Sequence, residues 1–210
     1  MKELIKPTSY IDSDNPDVYE FASNAAGTSG GKKEQAVSLY YAVRDGFTYN
    51  PYCLTFDKPH YRASYVLERK EGFCIQKAIL LAAAARALGI PARLGFANVR
   101  NHLATEKLLK LMKTDLFVFH GYTALFLDGK WVKATPAFDI KLCERFGTKP
   151  LEFDGGTDSV FHPYDSSGNR HMEYVHDYGM FDDFPFEQML DEFEKYYPHL
   201  MDHFSGESLK

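Results

Sequence analysis

The segment Glu71 to Pro91, EGFCIQKAILLAAAARALGIP, constrains the fold of this chain more than any other. From Cys74 to Leu88 its only polar residues are Gln76, Lys77 and Arg86, so it is apolar nearly all the way round. That pattern predicts a helix enclosed by the rest of the domain rather than lying on its surface. Gly89 and Pro91 stop it, and the run Ala82 to Ala85 makes a strong helix former of small radius that other backbones can approach closely. Gly72 allows a sharp turn immediately before it, which puts Cys74 in the first turn. There the unpaired N–H groups and the positive end of the helix dipole favour a thiolate over a thiol. A cysteine that merely fills core space is expected inside a helix, whereas one at a helix start sits where backbone N–H groups could also hold an oxyanion.

The rest of the composition limits what that cysteine can serve. A chain of 210 residues can build one substantial core, and a single domain over 1–210 is expected, with a core at about 32–139 and a C-terminal extension over 140–210. With 45% hydrophobic residues, 17 Phe and 14 Tyr, it reads as globular and ordered. No apolar run reaches the length of a membrane span, the N-terminus MKELIKP lacks the apolar core of a signal peptide, and a cytoplasmic location is the expectation. Cys53, Cys74 and Cys143 are widely spaced with no CxxC pair, which fits reduced thiols and neither a disulfide framework nor a zinc site. A net charge of −5 with no cluster of Lys and Arg argues against nucleic acid as partner.

In chain order, Asn15-Pro16-Asp17 caps a short helix running to Gly27, and Lys32 to Phe47 forms a second with an apolar stripe of Ala36, Leu39, Tyr40, Val43 and Phe47. Ser64 to Arg69 predicts a further helical turn. After the central helix, Ala92 to Val99 reads as a strand. Leu103, Lys107, Leu108, Leu111 and Met112 then form an amphipathic helix inserted before the next strand, where it would act as a lid or cap one end of the core. Strands Phe117–Leu127 and Lys130–Thr135 flank Asp128-Gly129, a hairpin turn. The register pairs Leu127 with Lys130, Phe126 with Trp131, Tyr122 with Thr135 and His120 with Ala137, leaving His120 at the open end of the hairpin, diagonal to Thr135. Beyond Lys141 the signal weakens until a last amphipathic helix at about Phe186 to Tyr197.

A cysteine at a helix start followed by a histidine on a hairpin strand is the pairing of acyl-transfer enzymes, His120 taking the thiol proton and returning it to the leaving amine. In this the sequence resembles the transglutaminase-like superfamily of papain-like cysteine enzymes. The resemblance rests on Tyr40-Tyr41-Ala42-Val43-Arg44-Asp45-Gly46-Phe47-Thr48-Tyr49, on Gly72-Phe73-Cys74 with Ala82 to Pro91, and on His120 followed by Leu127-Asp128-Gly129-Lys130-Trp131-Val132, over roughly 32–139. It implies an α+β fold, an antiparallel sheet packed on a central helix that starts at the nucleophile, and an amide or isopeptide hydrolase acting on peptide or amide-containing substrates without a cofactor. Cys74 would be the nucleophile, His120 the base and acid, and the Cys74 N–H part of an oxyanion hole. In one place the chain departs from the family. Where the family usually carries an aspartate that orients the histidine, this chain has Thr135, in Trp131-Val132-Lys133-Ala134-Thr135-Pro136. Thr135 could orient the ring without adding charge. Asp139 could instead fold back past Pro136, and a charged partner would both orient the ring and stabilise the imidazolium, which favours it. The alternative is a catalytically inactive fold serving as a binding module.

Other candidates carry less. His199 and His203 have helical ligand spacing, and His162, Asp165, His171, His176 and Asp177 lie nearby in sequence, but Pro198 precedes the pair and no zinc-protease motif surrounds it; no metal site is expected. Lys77 and Arg86 are expected to be solvated or salt-bridged, Cys53 and Cys143 structural, and Tyr49 and Tyr52 either pocket lining or core.

Overall fold

The computed structural model describes residues 1–27, 30–102, 104–160 and 172–201. Leu103, His162, Asp165, His171 and His203 lie outside them. The central helix, α4, is Cys74–Ala87, with Phe73 as N-cap and every residue from Cys74 to Arg86 buried. Gln76 closes its first turn: Oε1 accepts the Phe73 N–H (3.2 Å) and Nε2 donates to the His60 carbonyl (2.9 Å). Gly89, at φ +71°, ends it in the left-handed region. Because the helix has no solvent face, its two cations are buried and hydrogen-bonded to main-chain carbonyls, contrary to the expectation from sequence. Lys77 Nζ donates to the carbonyls of Arg44 (2.8 Å) and Phe47 (2.7 Å), and Arg86 to those of Ala92, Lys6 and Asp182. Burial pushes the Lys77 ammonium down to about 7.

Around α4 stand α1 (Pro16–Ala26), capped by Asn15 Oδ1 on the N–H groups of Asp17 and Val18, α2 (Lys32–Gly46) and α3 (Ala63–Arg69). Two short strands, β1 (Thr48–Tyr49) and β2 (Glu71–Gly72), pair in parallel and set Tyr49 opposite Gly72, just before Cys74.

The main sheet is antiparallel in the order β5-β4-β3-β6, with β3 at Ala92–Asn101, β4 at Leu116–Leu127, β5 at Lys130–Ala134 and β6 at Met172–Phe181. The β4–β5 hairpin pairs Leu127 with Lys130, Phe126 with Trp131 and Thr123 with Ala134, the register that Asp128-Gly129 imposes. It stops there. Beyond Ala134 the chain leaves β4, the Thr135 N–H donates to Ser159 O (2.8 Å), and the expected pairs Tyr122–Thr135 and His120–Ala137 are absent from the ladder.

One face of β4 rests on α4: Thr123 Oγ1 donates to Ala78 O (2.8 Å), and a Cβ at Gly121 would stand 2.9 Å from Ile75 Cα. The inserted helix, α5 (Glu106–Met112), joins β3 to β4 with Thr105 as its cap, and α6 (Ile140–Phe146) follows β5. Helix α7 (Phe186–Tyr196) and the short α8 (Pro198–Met201) end the described chain. Phe186, Met189, Phe193, Tyr197 and Leu200 join the same buried cluster as α4, and Tyr197 OH binds β4 by donating to Leu116 O and accepting the Val118 N–H, each at 2.7 Å. No helix among the described residues is long and apolar enough to cross a membrane.

Candidate active site

Cys74 opens α4, and its sulfur is faced by its own N–H and those of Ile75 and Gly121. These N–H groups pull towards the thiolate, as expected of a helix start, but burial outweighs them and pushes the thiol up to about 11. The Gly121 N–H reaches the sulfur because β5 has already parted from β4 at this point and because glycine lets the strand run against the helix N-terminus, with Cys74 O 3.3 Å from the position a Cβ would take.

His120 precedes Gly121, one residue from the contact of β4 with the start of α4. Gly121 and Thr123 face α4, while the Tyr122 ring lies over Gly95 of β3. A bulge fixes this phase. Between Ala97 and Val99 of β3 the pairing of β4 slips by one residue, and Phe119 takes φ +61° with its N–H on Asn98 Oδ1 (3.0 Å), immediately before His120. His120 is buried, and burial pushes its imidazole down to about 4.

Thr135 and His120 line one void of about 10 Å³, together with Ala137, Phe138, Cys143, Thr148 and Met172 among others, and Thr135 Oγ1 has no hydrogen-bond partner among the described residues. Asp139 does not line it. Its Oδ1 caps α6 by accepting the Leu142 N–H (3.0 Å), and its Oδ2 accepts the Tyr49 N–H (2.9 Å). The structure therefore sets Thr135 beside His120 and gives Asp139 the task of tying α6 to the β1 strand.

The resting site is closed. On the far side of Phe138, Cys143 and Thr148 lies a cleft of about 510 Å³ that shares these three residues with the void and is bordered by β1, α5 and α6. Tyr49 and Phe138, edge to face at 4.8 Å between ring centres, belong to its wall, and Tyr49 lies within electrostatic reach of Cys74. Tyr49 and Tyr52 thus line the cleft. The inserted helix borders it through Thr105, Lys107 and Leu108.

Cys53 stands at the same helix start, its Sγ 3.0 Å from Asn50 O and 3.2 Å from Gln76 Oε1; burial pushes it up to about 12. Cys143 is buried on α6. His199 Nε2 lies 2.9 Å from Leu111 O, joining α8 to α5, and no group of three or more potential metal ligands occurs among the described residues. Sequence reasoning missed Gly121, Phe138 and α6. A glycine between two ring-bearing residues in a strand signals close backbone approach and could have exposed the first; nothing local marks the other two.

The family profile of the Transglutaminase-like superfamily matches residues 19–136. Among solved structures, a candidate cysteine protease from Cytophaga hutchinsonii aligns over 85% of this chain and 53% of its own, at 16% identity and a TM-score of 0.50. A candidate protease from Parabacteroides distasonis ATCC 8503 aligns over 63% of this chain and 24% of its own, at 19% identity and a TM-score of 0.41. The chain thus spans about half the length of the first and a quarter of the second. Comparison with curated proteins returned no match.

Proposed function

The chain belongs to the transglutaminase-like superfamily, and from that premise we propose that it is a cysteine-dependent acyl-transfer enzyme hydrolysing amide or isopeptide bonds in peptides. Cys74 is the nucleophile, His120 the general base and acid, and Thr135 the group that orients the imidazole. The observation that carries this reading is the abutment of β4 on the start of α4, where the Gly121 N–H, next to His120, faces the Cys74 sulfur.

The resting pair is a neutral thiol and a neutral imidazole. As sulfur attacks the carbonyl carbon, His120 takes the thiol proton, and the charge moves to the carbonyl oxygen, where the Cys74 N–H contributes to an oxyanion hole. Collapse of the tetrahedral intermediate breaks the C–N bond, the imidazolium returns the proton to the departing amine, and water, deprotonated by His120, hydrolyses the thioester. Thr135 in place of a carboxylate leaves the imidazolium with less stabilisation. Asp139 is replaced in the triad because both its carboxylate oxygens accept main-chain N–H groups.

Peptide cleavage assayed on a casein digest by mass spectrometry tests the assignment. Cys74→Ala and His120→Ala each lower turnover by at least ~10²-fold with an unchanged circular dichroism spectrum. The burial of both groups favours one competing reading, a silent binding module; wild-type protein without turnover, equal to both variants, would establish that reading instead.

A further inference from the structure

The cleft bordered by β1, α5 and α6 differs in charge from the molecule around it. The chain carries 29 acidic against 24 basic residues, yet among the described residues no Asp or Glu lines this cleft of about 510 Å³, while Lys107 of α5 and Arg145 of α6 both do. Each cation stands beside an aromatic ring: Lys107 Nζ is 4.4 Å from the centre of Tyr52, and the Arg145 guanidinium is 5.9 Å from that of Phe146, which is 45% exposed. Neither has an ion-pair partner among the described residues; Glu106, one residue from Lys107, is turned to Lys110 (3.7 Å). Several other surface cations are paired, as in Arg69–Glu71, Arg93–Asp182 and Arg100–Asp115. The volume suits a few residues of extended peptide.

Resting on the reading of Cys74 as nucleophile, we propose that the cleft selects peptides carrying a carboxylate beside an aromatic or large apolar side chain, with Lys107 and Arg145 receiving the carboxylate and Tyr52 and Phe146 the apolar group. Two cations from separate elements of the same cleft provide this selection by charge, and their exposure makes it sensitive to salt. Two sources of the carboxylate, an acidic side chain and a free C-terminus, share this chemistry.

Binding of fluorescein-labelled Gly-Xaa-Phe-Xaa-Gly to the Cys74→Ala protein, followed by fluorescence anisotropy, distinguishes them. Xaa is Glu, Gln or Lys with an amidated C-terminus, and the Gln peptide is also used with a free C-terminus. The Glu peptide binds about five- to tenfold tighter than the Gln amide at low salt, and the Lys peptide binds more weakly than either. Tighter binding of the free-acid Gln peptide, without a gain from Glu, assigns the cleft to a C-terminal carboxylate. In the Lys107→Gln/Arg145→Gln protein the preference falls to about unity while the Gln amide binds as before. Equal binding of all the peptides, no binding of any, or a preference that survives the double substitution overturns the proposal. If Cys74 proves inert in wild-type protein while the charge preference holds, the catalytic reading fails alone; if Cys74 is acylated and the peptides bind alike, the selection fails alone.

Discussion

At the residue scale the site is governed by burial. A helix start offers N–H groups that lower a thiol pKa, and two of them, joined by the Gly121 N–H of β4, face Cys74, yet enclosure prevails and the thiol ends at about 11. The same enclosure takes His120 from 6.5 to about 4. Between these values the unfolded chain binds a proton that the folded chain refuses. His120 therefore costs the fold nothing above pH 6.5, and stability falls as pH drops towards 4, by up to ~1.4 kcal/mol per pH unit. Chemical denaturation of wild type and His120→Gln from pH 4 to 7 should give a difference in unfolding free energy that shrinks on acidification across this window; a constant difference would contradict the buried neutral imidazole. The two candidates for the third catalytic position separate equally well. Thr135→Val should lower acyl transfer by roughly tenfold with little change in stability, because it removes the unpaired hydroxyl beside His120. Asp139→Asn should instead lower stability by ~1–3 kcal/mol through the weakened α6 cap and the Tyr49 contact, with kcat changed less. Assay of both variants for turnover and melting checks the division.

At the scale of elements, the contact of β4 with α4 sets the Gly121 N–H, next to His120, against the Cys74 sulfur. It depends on Gly121. A Cβ there would stand 2.9 Å from Ile75 Cα, a backbone atom that cannot swing aside. Gly121→Ala should cost ~1–3 kcal/mol, lowering Tm by roughly 2–4 °C for each kcal/mol, and should lower acylation of Cys74 as the strand is pushed from the sulfur. Gly46→Ala, where nothing lies within 4 Å at the end of α2, serves as the control and leaves Tm unchanged or slightly higher. Calorimetry of the two variants checks this. Elements whose signals are local were legible in the sequence: α4 from an unbroken apolar run, the hairpin register from Asp128-Gly129, α1 from Asn15-Pro16. The helix α6 escaped because its seven residues, IKLCERF, carry one buried residue, Cys143, and no apolar stripe; it is stabilised by Asp139 at its cap and by Asp45 Oδ1 on the Ile140 N–H. The strand β6 escaped because most of it is exposed at the sheet edge, where no alternation is required.

At the scale of the molecule, the enclosed helix organises everything else. Its burial on all sides forces Lys77 and Arg86 to find main-chain carbonyls, and it draws α7 and α8 of the C-terminal segment into the same core as the segment from β1 to β5. The places of Cys74 at a helix start and His120 on a hairpin strand were legible in the sequence because each is set by a local signal. Their surroundings could not, since Thr135, Phe138 and Cys143 meet His120 only after the chain has left β4, and an unpaired hydroxyl or a closed aromatic wall has no linear signature. The most direct test of the account is the intact mass of the protein after brief exposure to p-nitrophenyl acetate, with the site of addition mapped by peptide fragmentation. One acetyl group on Cys74, absent in Cys74→Ala and formed at least ~10²-fold more slowly in His120→Ala, is the predicted result. Acetylation spread over Cys53 and Cys143, or proceeding on Cys74 at the same rate without His120, would contradict it.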